Sequence, residues 1–382
     1  MALRALARVN LAAIERNVAR LRSGLVPSAG LCAVVKANGY GHGAVPVARA
    51  ALDAGARLLA VATAEEAAEL RAGGIEASVL VMGAISDQEL PVALAAGGEL
   101  VAWSERFVSD VMRAVSRPGP APGAPLRMHV KLDTGMGRLG TRDPAEAMGV
   151  AELIAAAGPA LELAGAMTHF ASADEDPEFT AVQLSRFGSF VGELRGRWPG
   201  IVVHAANSAA TLRAPASHFD LVRCGIAMYG CDPMNVDPDA HGLEPALELS
   251  SYVAAVKRAA PGESTGYGRR FVAEDETWIA TVPIGYGDGI RRALTNNCDV
   301  LIGGRRYPLV GRVSMDNITI DMGPAGADRV TVGDRVTIIG RDGDSRQTAE
   351  EIARRIDTIN YEIVCGLSTR VPRAYHRDGT PA

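Results

Sequence analysis

The chain has 382 residues, of which 48% are hydrophobic, so it can form two domains or one large barrel with an addition. A net charge of −5 at pH 7 without basic runs argues against nucleic acid or an anionic membrane as a main partner. No apolar run approaches the ~18 residues that a transmembrane helix needs. The five cysteines are scattered and form no CxxC pair, which favours reduced thiols in the cytoplasm over disulfides or a zinc site. We therefore expect a cytoplasmic protein without a bound metal.

The N-terminal segment MALRALARVNLAAIERNVARL carries arginines and few acids but lacks the apolar core of a secretion signal. Leu11, Ile14, Val18 and Leu21 fit one face of a helix. We therefore interpret this segment as part of the fold.

Eight short apolar runs alternate with helical patterns up to about residue 230. Between most of them lie Ala- and Glu-rich segments such as 64–74, where Gly73 and Gly74 end the predicted helix. The runs are LCAVVK (31–36), LLAVAT (58–63), SVLVMG (78–83), LVAWS (100–104), LRMHVKL (126–132), LAGAMTHF (163–170), IVVHAAN (201–207) and LVRCGIAMYG (221–230). Eight buried parallel strands, each followed by a helix, predict an α/β fold of the (β/α)8 TIM-barrel type. An open doubly wound sheet is the rival, but the chain lacks an obvious dinucleotide fingerprint.

The second part of the chain has a different pattern. A connector rich in Pro, Asp and Gly covers 231–248, whereas the similar break at 117–125 joins a helix to the fifth strand. Beyond residue 249 the runs YVAAV, TWIATV, NITIDM and DRVTIIG predict a mostly-β domain, and Thr348 to Glu351 have the spacing of a capping box. We predict a barrel over 10–235 and a β-rich domain over 245–382, with residues 1–9 packing on the latter.

Polar side chains collect where the predicted strands end, which is the end at which such barrels carry their active sites. A single lysine at a strand end is more often a solvated surface group, but here other polar residues are predicted at the same end of the barrel. The residues concerned are Lys36, then Lys131 with Asp133 and Arg138, then His169, then His204, Asn207 and Ser208, and finally Arg223 with Gly225.

The segment AVVKANGYGHG (33–43) resembles the pyridoxal-phosphate attachment site of the alanine racemase family, whose catalytic lysine ends the first barrel strand. The matching segments follow in order across nearly the whole chain. They are KLDTGMGRLG (131–140), MTHFASAD (167–174), HAANSAA (204–210), VRCGIAMYG (222–230), GYGRR (266–270), IGYGDG (284–289), VGRVSMD (310–316) and NYEIVCGLSTRVPR (360–373).

The resemblance implies how the cofactor is held. Lys36 would bind it covalently, since a desolvated, partly neutral amine can attack an aldehyde. Arg223 would face the pyridine nitrogen and keep it unprotonated, because a guanidinium can only donate hydrogen bonds. Taken alone, His169 and His204 would be buried core histidines. By resemblance to the family, they belong to the hydrogen-bond chain around this arginine. The implied phosphate ligands are Tyr40, Asn207, Ser208, Gly225, Ile226 and Tyr361; without the resemblance, Asn207 and Ser208 fit a helix N-cap equally well.

Racemisation needs a base on each face of the substrate, and the resemblance assigns these roles to Lys36 and Tyr267. Alone, Tyr267 would be an aromatic residue in a Gly-flanked turn. His169 and Arg292 are candidates by resemblance to tune its phenol.

The same resemblance outlines the substrate pocket. Arg138 would contact the phenolic oxygen of the cofactor and the substrate carboxylate, and the Met315 backbone and Tyr286 would form the other side. Lys131 matches a lysine that is carbamylated in some members. Ser314 departs from the family, in which many members have cysteine at this position.

The resemblance implies an alanine racemase that supplies D-alanine for peptidoglycan precursors. It also implies a head-to-tail homodimer in which the β domain of one chain completes the barrel site of the other. The alternatives are a racemase of another or broader amino-acid range, a pyridoxal-phosphate-dependent decarboxylase of the same fold, and a non-catalytic pyridoxal-phosphate-binding protein. Decarboxylases of this fold usually place an acidic residue against the ring nitrogen, and the non-catalytic binders consist of the barrel alone. Arg223 therefore argues against the decarboxylase, and the predicted β-rich domain argues against the non-catalytic binder.

Overall fold

The computed structural model describes residues 3–116 and 125–382. Its contacts divide the chain into two compact units. The barrel unit comprises Glu15–Gly39 and Ala44–Met228, and the β unit comprises the segment up to Ile14, Tyr40–Gly43 and Tyr229–Ala382. The predicted break at 117–125 lies, except for Pro125, outside the described residues.

Eight parallel strands form the barrel sheet and alternate with helices. The strands up to the end of the barrel are β1 (Leu6–Asn10), β2 (Gly30–Val34), β3 (Leu58–Val61), β4 (Val79–Val81), β5 (Glu99–Ala102), β6 (Leu126–Lys131), β7 (Leu161–Met167), β8 (Val202–His204) and β9 (Leu221–Cys224). The helices are α1 (Leu11–Ser23), α2 (Ala44–Asp53), α3 (Ala64–Ala72), α4 (Leu90–Ala95), α5 (Glu105–Val115), α6 (Pro144–Ala156), α7 (Pro177–Arg197) and α8 (Ser208–Arg213).

The barrel sheet has the strand order β8-β7-β6-β5-β4-β3-β2-β9. Strands β2, β3, β4, β5 and β9 are buried along their whole length, as expected for parallel strands covered on both faces. The two ends of the sheet meet through backbone hydrogen bonds from Asp220 N to Val203 O at 3.1 Å and from Arg223 N to Ala206 O at 2.9 Å. The predicted TIM-type barrel, with all eight strands, is confirmed.

Local signals define the helix ends of the barrel unit. Thr63 caps α3 in a complete capping box with Glu66, and Gly73 follows its last turn. Helix α1 buries Leu11, Ile14, Val18 and Leu21, which confirms the predicted apolar face. Strand β2, however, ends at Val34, two residues before Lys36, because the backbone turns away from the sheet there.

The β unit is built on an 11-stranded sheet. Its remaining strands are β10 (Leu247–Tyr252), β11 (Ala255–Ala259), β12 (Ser264–Thr265), β13 (Phe271–Val272), β14 (Thr277–Val282), β15 (Asp299–Ile302), β16 (Arg305–Val310), β17 (Ile318–Asp321), β18 (Arg335–Asp342), β19 (Ser345–Gln347), β20 (Arg373–Arg377) and β21 (Thr380–Pro381). The sheet order is β11-β14-β17-β16-β15-β18-β10-β1-β20-β21, with β19 on β18, while β12 and β13 pair separately. Two short helices, α9 (Ala349–Arg355) and α10 (Asn360–Cys365), complete the unit. The predicted mostly-β second part is thus present.

Strand β1 lies in the sheet of the β unit, antiparallel to β10 and parallel to β20. Strand β10 begins at Leu247, inside the connector predicted over 231–248. The predicted domain limits, 10–235 and 245–382, stay a prediction.

The predicted capping box of α9 is only half formed. Thr348 Oγ1 accepts from Glu351 N at 3.2 Å. The Glu351 carboxylate binds the Arg306 guanidinium at 2.6 Å instead of returning to the backbone, because a charged donor is the stronger partner.

Candidate active site

Lys36 opens an unusual turn at the end of β2. The next residues have left-handed backbone angles, with φ of 52° at Ala37, 52° at Asn38 and 60° at Gly39. Left-handed angles cost non-glycine residues about 1–2 kcal/mol each, so the turn needs external support. Ala37 N donates to Glu66 Oε1 at 2.6 Å, and Gly39 N donates back to the strand end. Backbone strain of this kind is typical of functional sites.

Lys131 is the last residue of β6 and is buried. Burial, followed by the charges of Arg223 and Arg138, lowers its pKa to about 8, and Asp133 opposes this shift. Its amine is therefore partly neutral near physiological pH. Gly140 passes so close that an added Cβ would lie 2.9 Å from Lys131 O.

The loop that leads from β6 to Arg138 is wound around Asp133. Its carboxylate accepts from Gly135 N at 3.0 Å and from Gly137 N at 2.9 Å. Burial alone would raise the pKa of Asp133, but these backbone donors lower it further, so the pKa lies below its ordinary value. The ionised carboxylate thus holds the loop.

Arg223, on β9, is 3% exposed and every hydrogen bond it makes is a donation. Nη1 donates to His204 Nδ1 at 2.8 Å, and Nη2 donates to His169 Nδ1 at 3.0 Å. Nη2 also donates to the backbone carbonyls of Thr168 at 2.9 Å and Ala205 at 3.0 Å. Burial lowers its pKa to about 10, so the guanidinium remains charged at neutral pH.

These contacts determine the state of both histidines. Burial and the charges of Arg223, Arg138, Lys131 and Lys36 hold the pKa of His169 well below its ordinary value. Burial and the charge of Arg223 also hold the pKa of His204 well below its ordinary value. Because each Nδ1 accepts from the arginine, the single hydrogen of each neutral ring lies on Nε2.

The hydrogen-bond chain behind Arg223 continues through His129 and Glu99, two residues that the sequence analysis missed. His204 Nε2 lies 2.9 Å from His129 Nδ1, and His129 Nε2 lies 2.8 Å from Glu99 Oε2. Gly165 makes room for the pair, since an added Cβ would lie 2.3 Å from His129 Nδ1. Burial raises the pKa of Glu99, but the hydrogen bond from His129 and the Arg127 charge lower it by more. The signal in the sequence was His129 inside the apolar run 126–132, whereas Glu99 directly precedes the predicted run 100–104 and joins its strand only in the structure.

Ser208 and Asn207 lie after β8 and serve a structural role there. Asn207 Oδ1 accepts from Ala210 N at 3.0 Å and caps α8. Ser208 Oγ accepts from Gly225 N at 3.0 Å and from Ala227 N at 3.4 Å, which brings the loop after β9 against this helix start. The N-cap reading therefore holds, and the predicted phosphate ligands on these two loops lie together with buried Ile226.

Two predicted phosphate ligands lie in the β unit. Tyr40 stacks on Tyr229 with ring centroids 5.0 Å apart, and the ring of Tyr361 lies 6.1 Å from that of Tyr40. Tyr40 has a φ of 50° and continues the left-handed turn.

Tyr267 projects from a turn between two glycines, Gly266 with φ 75° and Gly268 with φ 69°. Its side chain is 71% exposed in the single chain. It borders an open hollow of about 500 Å³ that Arg312 and Ser314 also line.

Tyr286 and Met315 lie on two loops joined by backbone hydrogen bonds. Tyr286 N donates to Ser314 O and Gly287 N donates to Met315 O, both at 2.9 Å. Both side chains are exposed, Tyr286 at 44% and Met315 at 51%. Arg292 is exposed and begins a separate turn, Arg292–Leu294, whose last residue is buried.

In the described part of the chain, no three His, Cys, Asp or Glu side chains are grouped so that they could hold a metal ion. No helix within residues 3–116 and 125–382 is long and apolar enough to cross a membrane.

Comparisons with known proteins agree with this geometry. The family model for the alanine racemase N-terminal domain matches residues 9–233, and that for the C-terminal domain matches residues 246–375. The alanine racemase of Geobacillus stearothermophilus is 43% identical over 375 residues, which are 97% of this chain and 93% of the relative. Alanine racemase 1 of Bacillus subtilis is 39% identical over 377 residues, 98% of this chain and 93% of the relative.

Solved structures give the same result. Alanine racemase from D-cycloserine-producing Streptomyces lavendulae superimposes with a TM-score of 0.91 at 38% identity, covering 98% of both chains. Alanine racemase from Bacillus anthracis with bound L-Ala-P has a TM-score of 0.90 at 39% identity and covers 99% of this chain and 96% of that one. With both domain models matched and relatives above 30% identity over nearly their full length, the chain belongs to the alanine racemase family.

Proposed function

We propose that this protein interconverts L-alanine and D-alanine with pyridoxal 5'-phosphate bound covalently to Lys36, and that it supplies D-alanine for peptidoglycan precursors. When bound, this cofactor acidifies the α-hydrogen of an amino acid. Lys36 and Tyr267 move the proton on opposite faces of the substrate. Family membership and the names of the relatives support the activity.

The observation that carries the proposal is the buried guanidinium of Arg223. It is held by four donated hydrogen bonds and can offer only further donors to a ring nitrogen. An unprotonated pyridine is a weaker electron sink, which favours return of the α-proton over transamination. The neutral rings of His169 and His204 supply no proton that would change this state.

The charges in the barrel unit fit an anionic cofactor. Lys36, Lys131, Arg138 and Arg223 all act on His169 as positive charges. A phosphate, a phenolic oxygen and a substrate carboxylate would compensate this excess. For the phosphate we propose Tyr40, Asn207, Ser208, Gly225, Ile226 and Tyr361, on loops where barrels commonly bind phosphate.

Substrate recognition is assigned to Arg138, Met315 and Tyr286. Lys131 would orient Arg138, and its pKa of about 8 leaves enough neutral amine to react with carbon dioxide as a carbamate. His204 supports Arg223, and Arg292 is proposed to act near Tyr267.

We also propose a head-to-tail homodimer. Tyr267, Tyr286 and Met315 are exposed on one unit. Backbone hydrogen bonds join the loops of Tyr286 and Met315, and Tyr267 shares a hollow with Ser314, so the three lie in one region. Exposed apolar patches are typical of interaction surfaces. In the dimer, these residues of one copy complete the barrel site of the other.

The test of the cofactor site is simplified by the composition of the chain. It contains three lysines, Lys36, Lys131 and Lys257. Borohydride reduction of the cofactor-loaded protein followed by peptide mapping should place the pyridoxyl label on Lys36. Lys257→Arg serves as the matched control and should keep label and activity, whereas Lys36→Ala should lose both. A label on Lys131 or Lys257 would overturn the proposal.

The test of the reaction uses purified protein with L-alanine and with other L-amino acids. We expect D-alanine to form fastest. Faster racemisation of another amino acid would support the broader racemase, release of carbon dioxide would support the decarboxylase, and cofactor binding without turnover would support a non-catalytic role.

A further inference from the structure

Helix α7 carries one buried amide in a stripe of otherwise apolar or small side chains. Gln183 is 0% exposed, and the stripe continues with Phe187, Phe190, Val191 and Leu194, all buried. A leucine or methionine would fill such a position without the cost of burying an amide, which is large unless every polar atom is paired. The amide is therefore a feature to explain.

Each polar atom of Gln183 has a partner on one of two active-site loops. Oε1 accepts from Ala171 N at 2.9 Å, and Nε2 donates to His169 O at 3.2 Å and to Thr134 Oγ1 at 3.1 Å. Because Ala171 N can only donate and His169 O can only accept, the orientation of the amide is determined. Gln183 is thus fully paired.

The hydrogen bond from Gln183 to Thr134 connects the helix to the loop after β6. With Thr134 Oγ1 accepting from Gln183, its own hydrogen is available for Thr168 Oγ1 at 2.8 Å. Arg186, one turn further along α7, donates to Thr134 O at 2.9 Å. The backbone on either side of Thr134 leads from Lys131 to Arg138, so α7 holds this loop and the loop that carries His169 together.

We infer that Gln183 is a positioning residue that sets the His169 ring and the approach of the Arg138 loop. This inference rests on the proposed function. The His169 ring must accept from Arg223 through Nδ1 at 3.0 Å, which leaves its Nε2–H pointing away from the arginine. A shift of the His169 backbone would break this geometry, and a displacement of about 1 Å can cost about 100-fold in rate.

The test is Gln183→Met, which keeps the volume and removes all three hydrogen bonds. We expect kcat for alanine to fall by about 10- to 100-fold. The apparent Kd of the cofactor, measured from its visible absorbance, should change less than kcat does, since Lys36 and the proposed phosphate ligands lie on other loops and only the proposed contact of Arg138 with the phenolic oxygen would be disturbed. A kcat within twofold of the unmodified protein, or a parallel loss of kcat and cofactor affinity, would overturn the inference.

The matched control is Gln347→Met in the β unit. Gln347 is also 0% exposed, and it makes three hydrogen bonds, to Asp299 O at 2.8 Å, to Ile338 O at 2.7 Å and from Arg306 at 3.3 Å. It touches none of the proposed site residues through these bonds. We expect a comparable loss of thermal stability without the fall in kcat; equal effects of both variants on kcat would show that Gln183 acts only through stability.

Hydrogen exchange separates this inference from the proposed function, because it needs neither cofactor nor turnover. In Gln183→Met, peptides covering 132–140 and 168–174 should exchange faster, by about tenfold at the Ala171 amide, while Gln347→Met leaves them unchanged. If the unmodified protein does not racemise alanine, the proposed function fails, and exchange still decides whether Gln183 orders the two loops. Should Gln183→Met not fold, Thr134→Val removes one of the three bonds of Gln183 together with the bond between Thr134 and Thr168. Faster exchange in 132–140 with lower kcat would support the inference, and unchanged exchange in that peptide would overturn it.

Discussion

Glu99→Gln should lower both the stability of the protein and its racemisation rate. Glu99 lies at the far end of the hydrogen-bond chain that starts at Arg223. The substitution keeps the size and shape of a side chain that is 7% exposed and removes its charge. An ionised carboxylate can only accept, so it forces the hydrogen of His129 onto Nε2 and leaves Nδ1 to accept from His204. A glutamine amide offers both a donor and an acceptor, so this direction is no longer imposed.

The magnitude follows from the contacts that change. A buried hydrogen bond to a charged group contributes about 1.5–3 kcal/mol and a neutral one about 0.5–1.5, so the His129 contact should lose about 1–2 kcal/mol of unfolding free energy. At about 2–4 °C per kcal/mol for a domain of this size, Tm should fall by roughly 2–8 °C. Racemisation should fall by about tenfold, as is common when a supporting residue behind an active-site group is changed.

The pH dependence has a defined sign. The pKa of Glu99 is lower in the folded state than its ordinary value of about 4.3, so its stabilising contribution is complete above that pH and is lost as the pH falls through the folded pKa. The Tm difference between Glu99→Gln and the unmodified protein should therefore be full at pH 7 and narrow below about pH 4.3.

The control is Glu162→Gln, which changes the same functional group on the other carboxylate that binds Arg127, at 2.6 Å. Glu162 is 45% exposed, so its loss should cost at most about 1 kcal/mol and leave activity unchanged. Thermal scans from about pH 3 to about pH 8 cover the range in which the Glu99 contribution is lost, and steady-state kinetics provide the activity readout. If the two variants have the same Tm and the same kcat/KM, Glu99 does not organise the chain behind Arg223.

Three further predictions concern the proposed reaction. Arg223→Glu should retain some cofactor but lose racemisation, with transamination products rising because a carboxylic acid supports a protonated pyridine; unchanged racemisation would show that Arg223 does not face the ring. Mixing inactive Lys36→Ala and Tyr267→Ala chains should restore activity, since one site of a mixed C2 dimer holds both intact residues and the other both defects. No recovery despite confirmed subunit exchange would place both residues in one chain's site or deny one of them its role. Bicarbonate should raise the activity more at pH 8.5 than at pH 6.5, because only the neutral amine of Lys131, whose pKa is about 8, forms a carbamate; an equal response at both pH values, or no carbamate by mass spectrometry, would contradict this.

Much of the architecture was predictable because its causes are local. Strands β2 to β9 are apolar runs that parallel strands require, and Thr63 with Glu66 marks the start of α3 within four residues of sequence. In a barrel of this type the strand ends share one rim, so the order of the strands alone predicts that Lys131, His169 and Arg223 lie near one another. Their electrostatic coupling agrees with that expectation.

The tertiary structure decided what depends on distant partners. The left-handed turn after Lys36 is supported by Glu66 of α3, a contact that the linear pattern does not show. His129 meets Glu99 only because neighbouring strands bring them together. Gln183 is explained by two backbone atoms of the loop after β7 and by the Thr134 hydroxyl of the loop after β6, rather than by its own helix. Burying a polar atom is favourable only with a partner in place, and such partners come from segments far apart in the chain, so a linear pattern can show the unusual residue but not what it binds.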